Sequence, residues 1–192
     1  NIMFNLILEA IKIARPIHWV KNLAIFGALL LTGTLYETGL FKDVLEAFFA
    51  FSFATSATYI FNDIIDAAAD RLHPVKKNRP IAAGKLPMFI AILELIGFVV
   101  LSLAMAAYIN QLLFTLILVY LGIQIFYSLG LKNIPVIDIL IIASGFIIRV
   151  YAGAFVIDAH LSVWFLLCVV SASLFLAAGK RRSEINLLEA IS

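Results

Sequence analysis

The chain has 192 residues, of which 64% are hydrophobic and only 14% charged, with a formal net charge of +2. Water-soluble domains average about 45–50% apolar and about 25% charged residues, so this composition excludes an ordinary soluble domain, and the small net charge argues against a nucleic-acid partner. One cysteine, Cys168, rules out a disulfide within the chain.

The opening NIMFNLILEAIKIA lacks the basic lead and small-residue cleavage site of a secretory signal. Residues 2–14 are instead expected to form a helix in the membrane interface, carrying Glu9 and Lys12. Crossing a bilayer takes roughly 17–25 mostly apolar residues. Six stretches meet or approach that length: 20–36, which is the shortest, then 44–62, 87–108, 111–129, 136–157 and 161–179. Nothing remains for a separate soluble domain. The expected fold is all-α, a polytopic transmembrane helix bundle, since lipid tolerates only backbones satisfied by their own hydrogen bonds.

Six crossings put the N-terminus and the segments after the second, fourth and sixth on one side. That side receives 12 of the 14 basic residues, leaving Lys42 on the other and Arg149 inside a span. The positive-inside rule then assigns the basic side to the cytoplasm. Topology alone accounts for such an asymmetry, but it does not require carboxylates on the same face.

Those carboxylates lie in YIFNDIIDAAADRLHPVKKNRPIAAGK, Tyr59 to Lys85. Nothing before Pro74 breaks the second span, so the helix is expected to run on through Asp70. Asp63, Asp66 and Asp70 then recur at i, i+3 and i+7 on one side, beside the amide of Asn62. Two readings stand side by side. One is a solvated acidic helix end paired with Arg71 and Lys76. The other is a hard-cation site, in which Mg²⁺ takes one or two carboxylates and leaves its other positions to water and substrate phosphates. The bases that follow, Lys76, Lys77 and Arg79, favour the second, because a metal–diphosphate site needs further cations.

Further along, Lys132 and Asp138 bracket the turn after the fourth span, with Tyr127 just before it. Arg149 follows Asp138 by 11 residues, about three turns and roughly 16 Å along the same face. An arginine at mid-span costs about 2.5–3.5 kcal/mol on insertion scales. It calls for a wet cavity, or for a partner such as Glu94, a lone carboxylate in the third span. Near the start, Trp19 suits the headgroup level and Lys21 suits an anionic headgroup, while His18 is open.

The motif NDIIDAAADRLHPVKKNRPIAAG resembles the first signature of the UbiA superfamily of intramembrane transferases. RPIHWVKN, DRLHPVKKNRPIAAG, YSLGLKNIPVIDI and AAGKRRSE resemble, in matching order along nearly the whole chain, its decaprenyl-phosphate phosphoribosyltransferase branch. The resemblance implies a single UbiA-type domain over residues 1–192. The family has about nine spans, so it also implies a chain shortened at its C-terminal end. One mild departure is KKNRP in place of the more usual K-R-x-R-P.

The activity implied is Mg²⁺-dependent transfer of 5-phosphoribose from phosphoribosyl diphosphate to a polyprenyl phosphate. It would take place at the cytoplasmic face of the plasma membrane, and a homo-oligomer is compatible with it. Asn62, Asp63, Asp66 and Asp70 are the implied metal ligands, and the three aspartates with Lys132 and Asp138 the implied catalytic set. Lys21, Asn62, Arg71, Lys76, Lys77, Arg79, Tyr127, Arg149, Lys180, Arg181, Arg182 and Glu184 are the implied substrate-binding residues. In prenyltransferase members a second aspartate motif occupies the region where this chain reads KRRSE. Bases there suit a substrate with an additional phosphate. Two alternatives remain: a prenyltransferase joining a prenyl diphosphate to an aromatic acceptor, and a transporter or channel using Asp138, Glu94 and Arg149 as pathway residues.

Overall fold

The computed structural model describes the backbone of residues 2–191, and the side chains of 3–134 and 136–183. Helix α1, Ile2–Ala14, ends at Arg15, whose backbone is left-handed at φ 50°. Pro16 then opens a 3₁₀ helix, Pro16–Phe26, that continues directly into α2, Gly27–Thr32. Proline suits a first helical position because its φ is preset and its missing N–H would have no partner there.

This 3₁₀–α rod is the first expected span. At about 2.0 Å per 3₁₀ residue and about 1.5 Å per α residue it is about 31 Å long, enough to cross the hydrocarbon. It runs antiparallel to α3, Thr38–Leu72: Trp19 Nε1 donates to Ser56 Oγ at 2.9 Å, Asn22 Nδ2 to Ser52 Oγ at 2.9 Å, and Phe26 meets Phe48 and Phe41. Its 3₁₀ winding is not apparent from hydropathy. A tighter helix lets the rod's backbone press on Gly153, where an added Cβ would sit 1.8 Å from the carbonyl oxygen of Ile25.

Among the described residues five helices are long and apolar enough to span: α3, α4 (Met88–Ile109), α5 (Gln111–Leu129), α6 (Pro135–Val156) and α7 (Val163–Ile191). Helix α3 is the hub. Its 35 residues extend about 52 Å, well past a hydrocarbon core of about 30 Å, so its acidic end projects beyond the apolar layer. Val44, Ala47, Ala50, Phe51 and Ala54 on α3 pack with Leu113, Ile117 and Tyr120 of α5 and Ile148 and Ala152 of α6. Small buried residues along α3, among them Ala47, Ser52 and Ser56, let neighbouring backbones come close.

A second apolar cluster joins Ile13, Ile60, Ala67, Ile81, Leu86 and Ala91. It seats the 73–87 connection on α3 and α4. Within that connection His73 Nδ1 accepts the N–H groups of Val75 and Lys76, and Gly84 takes φ 69°, a left-handed value open to glycine. The connection therefore folds back, with Arg79 against α3. At the opposite end Asn110 caps α5 by accepting the Leu112 N–H at 2.7 Å.

Candidate active site

Helical phase divides the acidic motif into two stripes. At about 100° per residue, Asp63 and Asp70 lie about 20° apart around α3, while Asn62 and Asp66 lie about 40° apart and about 60–100° round from Asp63. The first stripe faces arginines. Arg15 Nη2 donates to both oxygens of Asp63, at 2.6 and 2.8 Å, and its guanidinium covers the Tyr59 ring. Arg79 Nη1 bridges Asp63 at 3.0 Å and Asp70 at 2.7 Å. Asp63 and Asp70 are buried, so these pairs are well shielded from water. They also hold Arg15 in its unfavourable conformation, doubly restricted because proline follows it.

The second stripe faces a cavity of about 560 Å³ at the basic end of the bundle, a volume typical of small-molecule sites. Lys132 Nζ binds Asp66 at 2.5 and 2.6 Å and Asn62 Oδ1 at 3.2 Å, while Asn62 Nδ2 donates to Asp66 at 3.0 Å. On the α6 wall, Asp138 accepts from Tyr127 Oη at 2.9 Å and lies 3.9 Å from Arg181. The cavity lining holds eight lysines and arginines but two carboxylates, Asp66 and Asp138. With both carboxylates already engaged, the remaining charge favours a polyanion.

Of the expected site residues, Lys21, Asn62, Asp66, Lys76, Arg79, Tyr127, Lys132, Asp138, Arg149, Lys180 and Arg181 line this one cavity. Asp63 and Asp70 stand behind the wall, on Arg15 and Arg79. Arg71, Lys77 and Arg182 are exposed and outside the lining, and the side chain of Glu184 lies outside the described residues. Arg149 takes the cavity rather than Glu94, which sits in a separate apolar pocket with Ile7, Ala10, Ile11 and Phe98. The three residues named for a transport pathway therefore do not share one.

Arg15, Tyr59, Tyr120 and Asn22 were not singled out in the sequence. Arg15 had a signal in its position directly before Pro16, where a chain reversal brings it to α3. For Asn22, fully buried, the signal is its place at the end of RPIHWVKN, as a polar residue entering an apolar run.

The donor chemistry bears on the divalent cation. Among the described residues no three His, Cys, Asp or Glu side chains gather into a metal cluster. Of the four ligands expected from the motif, Asn62 and Asp66 face the cavity, their oxygens converging on the Lys132 ammonium, while Asp63 and Asp70 are engaged by Arg15 and Arg79. One carboxylate and one amide oxygen open to a cavity fit Mg²⁺, which keeps several positions for water and phosphate.

An all-helical bundle of this hydropathy is an integral membrane protein. Residues 23–180 match the UbiA prenyltransferase family, and the chain belongs to that family. It is 42% identical over 190 residues to the decaprenyl-phosphate phosphoribosyltransferase of Mycolicibacterium smegmatis, covering 96% of this chain and 59% of that protein. The enzyme of the same name from Mycobacterium tuberculosis is 40% identical, with 96% and 63% covered. The chain thus spans about six-tenths of the length of these relatives. A UbiA homolog from Archaeoglobus fulgidus, solved with DMAPP and Mg²⁺, superposes with a TM-score of 0.70 at 25% identity, covering 88% of this chain and 60% of that one.

Proposed function

We propose that the protein is a Mg²⁺-dependent transferase that moves 5-phosphoribose from phosphoribosyl diphosphate to a polyprenyl phosphate at the cytoplasmic face of the plasma membrane. The observation that carries this reading is the charge of the cavity, where the Asn62–Asp66 pair meets bases drawn from five separate parts of the chain. Asn62 and Asp66 would hold Mg²⁺, which would neutralise the donor's diphosphate and ease its departure. Arg79 and Lys76 take the diphosphate oxygens that face the 73–87 connection. Asp63 and Asp70 act one step back, by fixing Arg79 and Arg15 over the cavity mouth.

The acceptor brings its own nucleophile. A lipid phosphate oxygen, already deprotonated, forms the new bond to the anomeric carbon as the carbon–oxygen bond to diphosphate breaks. No protein nucleophile or general base is needed, so catalysis rests on alignment and on stabilising the departing charge. Lys132, which holds Asn62 and Asp66 here, would be free to receive the acceptor phosphate with Mg²⁺ on that pair. Asp138 and Tyr127 orient Arg181 across the cavity, and Lys180 and Arg181 add charge suited to a donor with a further phosphate.

A second reading is a prenyltransferase using a prenyl diphosphate and an aromatic acceptor. It is favoured by the A. fulgidus homolog, which was solved with GPP and Mg²⁺ as well as with DMAPP. It gives no task to the α7 bases. The deciding experiment supplies purified protein with Mg²⁺, polyprenyl phosphate and phosphoribosyl diphosphate labelled in the ribose. Label entering the lipid fraction supports phosphoribosyl transfer. Label left in water, while prenyl diphosphate is consumed in a parallel reaction with an aromatic acceptor, supports the second reading.

A further inference from the structure

We propose that the floor of the cavity is a second phosphate subsite, built by Arg149 and Lys21, that takes a phosphomonoester dianion independently of Mg²⁺. Which substrate supplies that phosphate, the sugar donor or the lipid acceptor, rests on the function proposed above.

Arg149 is 6% exposed, yet its guanidinium meets only neutral groups. Nε donates to Asn22 Oδ1 at 2.7 Å, Nη1 to the Gly145 carbonyl at 2.6 Å and Nη2 to Tyr120 Oη at 3.4 Å. The aromatic faces of Phe51, Tyr120 and Phe146 surround it. Among the described residues, no carboxylate lies within ion-pair distance of Arg149 or Lys21. A guanidinium carries five N–H donors, and three are occupied here. The other two remain for an anion in the cavity that Arg149 lines.

This guanidinium is deliberately positioned. Asn22 is fully buried, and its Nδ2 donates to Ser52 Oγ at 2.9 Å and Thr55 Oγ1 at 3.4 Å, which fixes its oxygen toward Arg149. Gly145 leaves room one turn earlier, where a Cβ would stand 3.1 Å from Arg149 Nη1. Lys21 and Lys180 lie near enough for their positive charges to act on one another, and Arg149 acts on Lys21 in the same way. A buried cation without a counter-charge is costly, and crowding further cations beside it adds to the cost. A doubly charged phosphate relieves both, and the planar guanidinium suits its oxygens. The subsite is distinct from the Asn62–Asp66 pair, since Asn22 ties Arg149 to the level of Ser52 and Thr55, about 7–14 residues or roughly 10–21 Å down α3 from that pair.

The test measures binding without turnover. Purified protein in detergent and a chelator is titrated with inorganic phosphate, with ribose 5-phosphate and with a short-chain polyprenyl monophosphate. Wild-type protein should bind phosphate without Mg²⁺, and one of the two monoesters more tightly; that preference identifies the source. Arg149→Gln should weaken the preferred monoester by about tenfold or more, and Arg149→Lys by less. Lys21→Gln, on an exposed residue that folding tolerates, should weaken it several-fold. Should Lys21→Gln and a folded Arg149 variant both bind as wild type does, the subsite is refuted. If Arg149-dependent binding persists while no label reaches lipid in the transfer assay, the subsite stands and the phosphoribosyl reading falls.

Discussion

Asp63 and Asp66 stand one helical turn apart on α3, yet they answer to different partners, and this gives them different predicted phenotypes. Asp66 faces the cavity with Asn62. Replacing it by Asn should lower turnover by about 10²–10³-fold, the usual cost of losing one electrostatic contact to the reacting charge, and should abolish the response to Mg²⁺. Thermal unfolding in detergent should change little. Asp63→Asn should do the reverse. It leaves Arg15 and Arg79 short of a buried counter-ion, at a cost of about 3–5 kcal/mol, visible as a lower unfolding midpoint. If Asp63→Asn instead left stability intact and removed only the metal response, the assignment of the two stripes would be wrong. The motif made these aspartates visible as a group. Their separation was not visible, because it depends on where Arg15 and Arg79 arrive, 48 residues before and 16 after Asp63 in the sequence.

At the scale of elements, the contact between the rod and α6 is the most exacting feature. Gly153 admits the Ile25 carbonyl where any side chain would clash. Gly153→Ala should therefore destabilise the protein by more than about 3 kcal/mol, beyond the usual about 1–3 kcal/mol of overpacking, because backbone rather than a flexible side chain must yield. It should also displace Asn22, and with it Arg149, so phosphate binding should weaken in whatever fraction stays folded. A circular dichroism melt with a parallel phosphate titration checks both outcomes. Hydropathy identified residues 20–36 as a crossing, but it is blind to 3₁₀ winding. That choice follows from a backbone-to-backbone contact with a helix more than a hundred residues later. Helix α3 was more legible, since the absence of any breaker before Pro74 predicts its run through the acidic motif to Asp70, and the helix ends at Leu72.

At the scale of the whole molecule, the proposed orientation can be checked by chemical access. In a Cys168→Ser background, Lys77→Cys in the basic connection should react with an impermeant maleimide only from the cytoplasmic side. Lys42→Cys, near the start of α3, should react only from the other side. The opposite pattern would invert the topology and detach the cavity from any cytoplasmic donor. The gathering of bases also predicts that donor binding weakens as salt rises, since the cavity is partly open to solvent and its charges are screened. A binding isotherm at several ionic strengths measures this directly.

Composition and span length depend on local chemistry, so the sequence alone determined the membrane class and the helices long and apolar enough to cross. The spacing of the acidic motif and its following bases likewise determined the type of ligand to expect. Which carboxylate meets the cavity, why Arg149 is held by an asparagine rather than by Glu94, and how Arg15 enters the site were decided only by the tertiary structure. The reason is physical: helical phase and close backbone approach set which side chains meet, and both depend on contacts between segments distant along the chain.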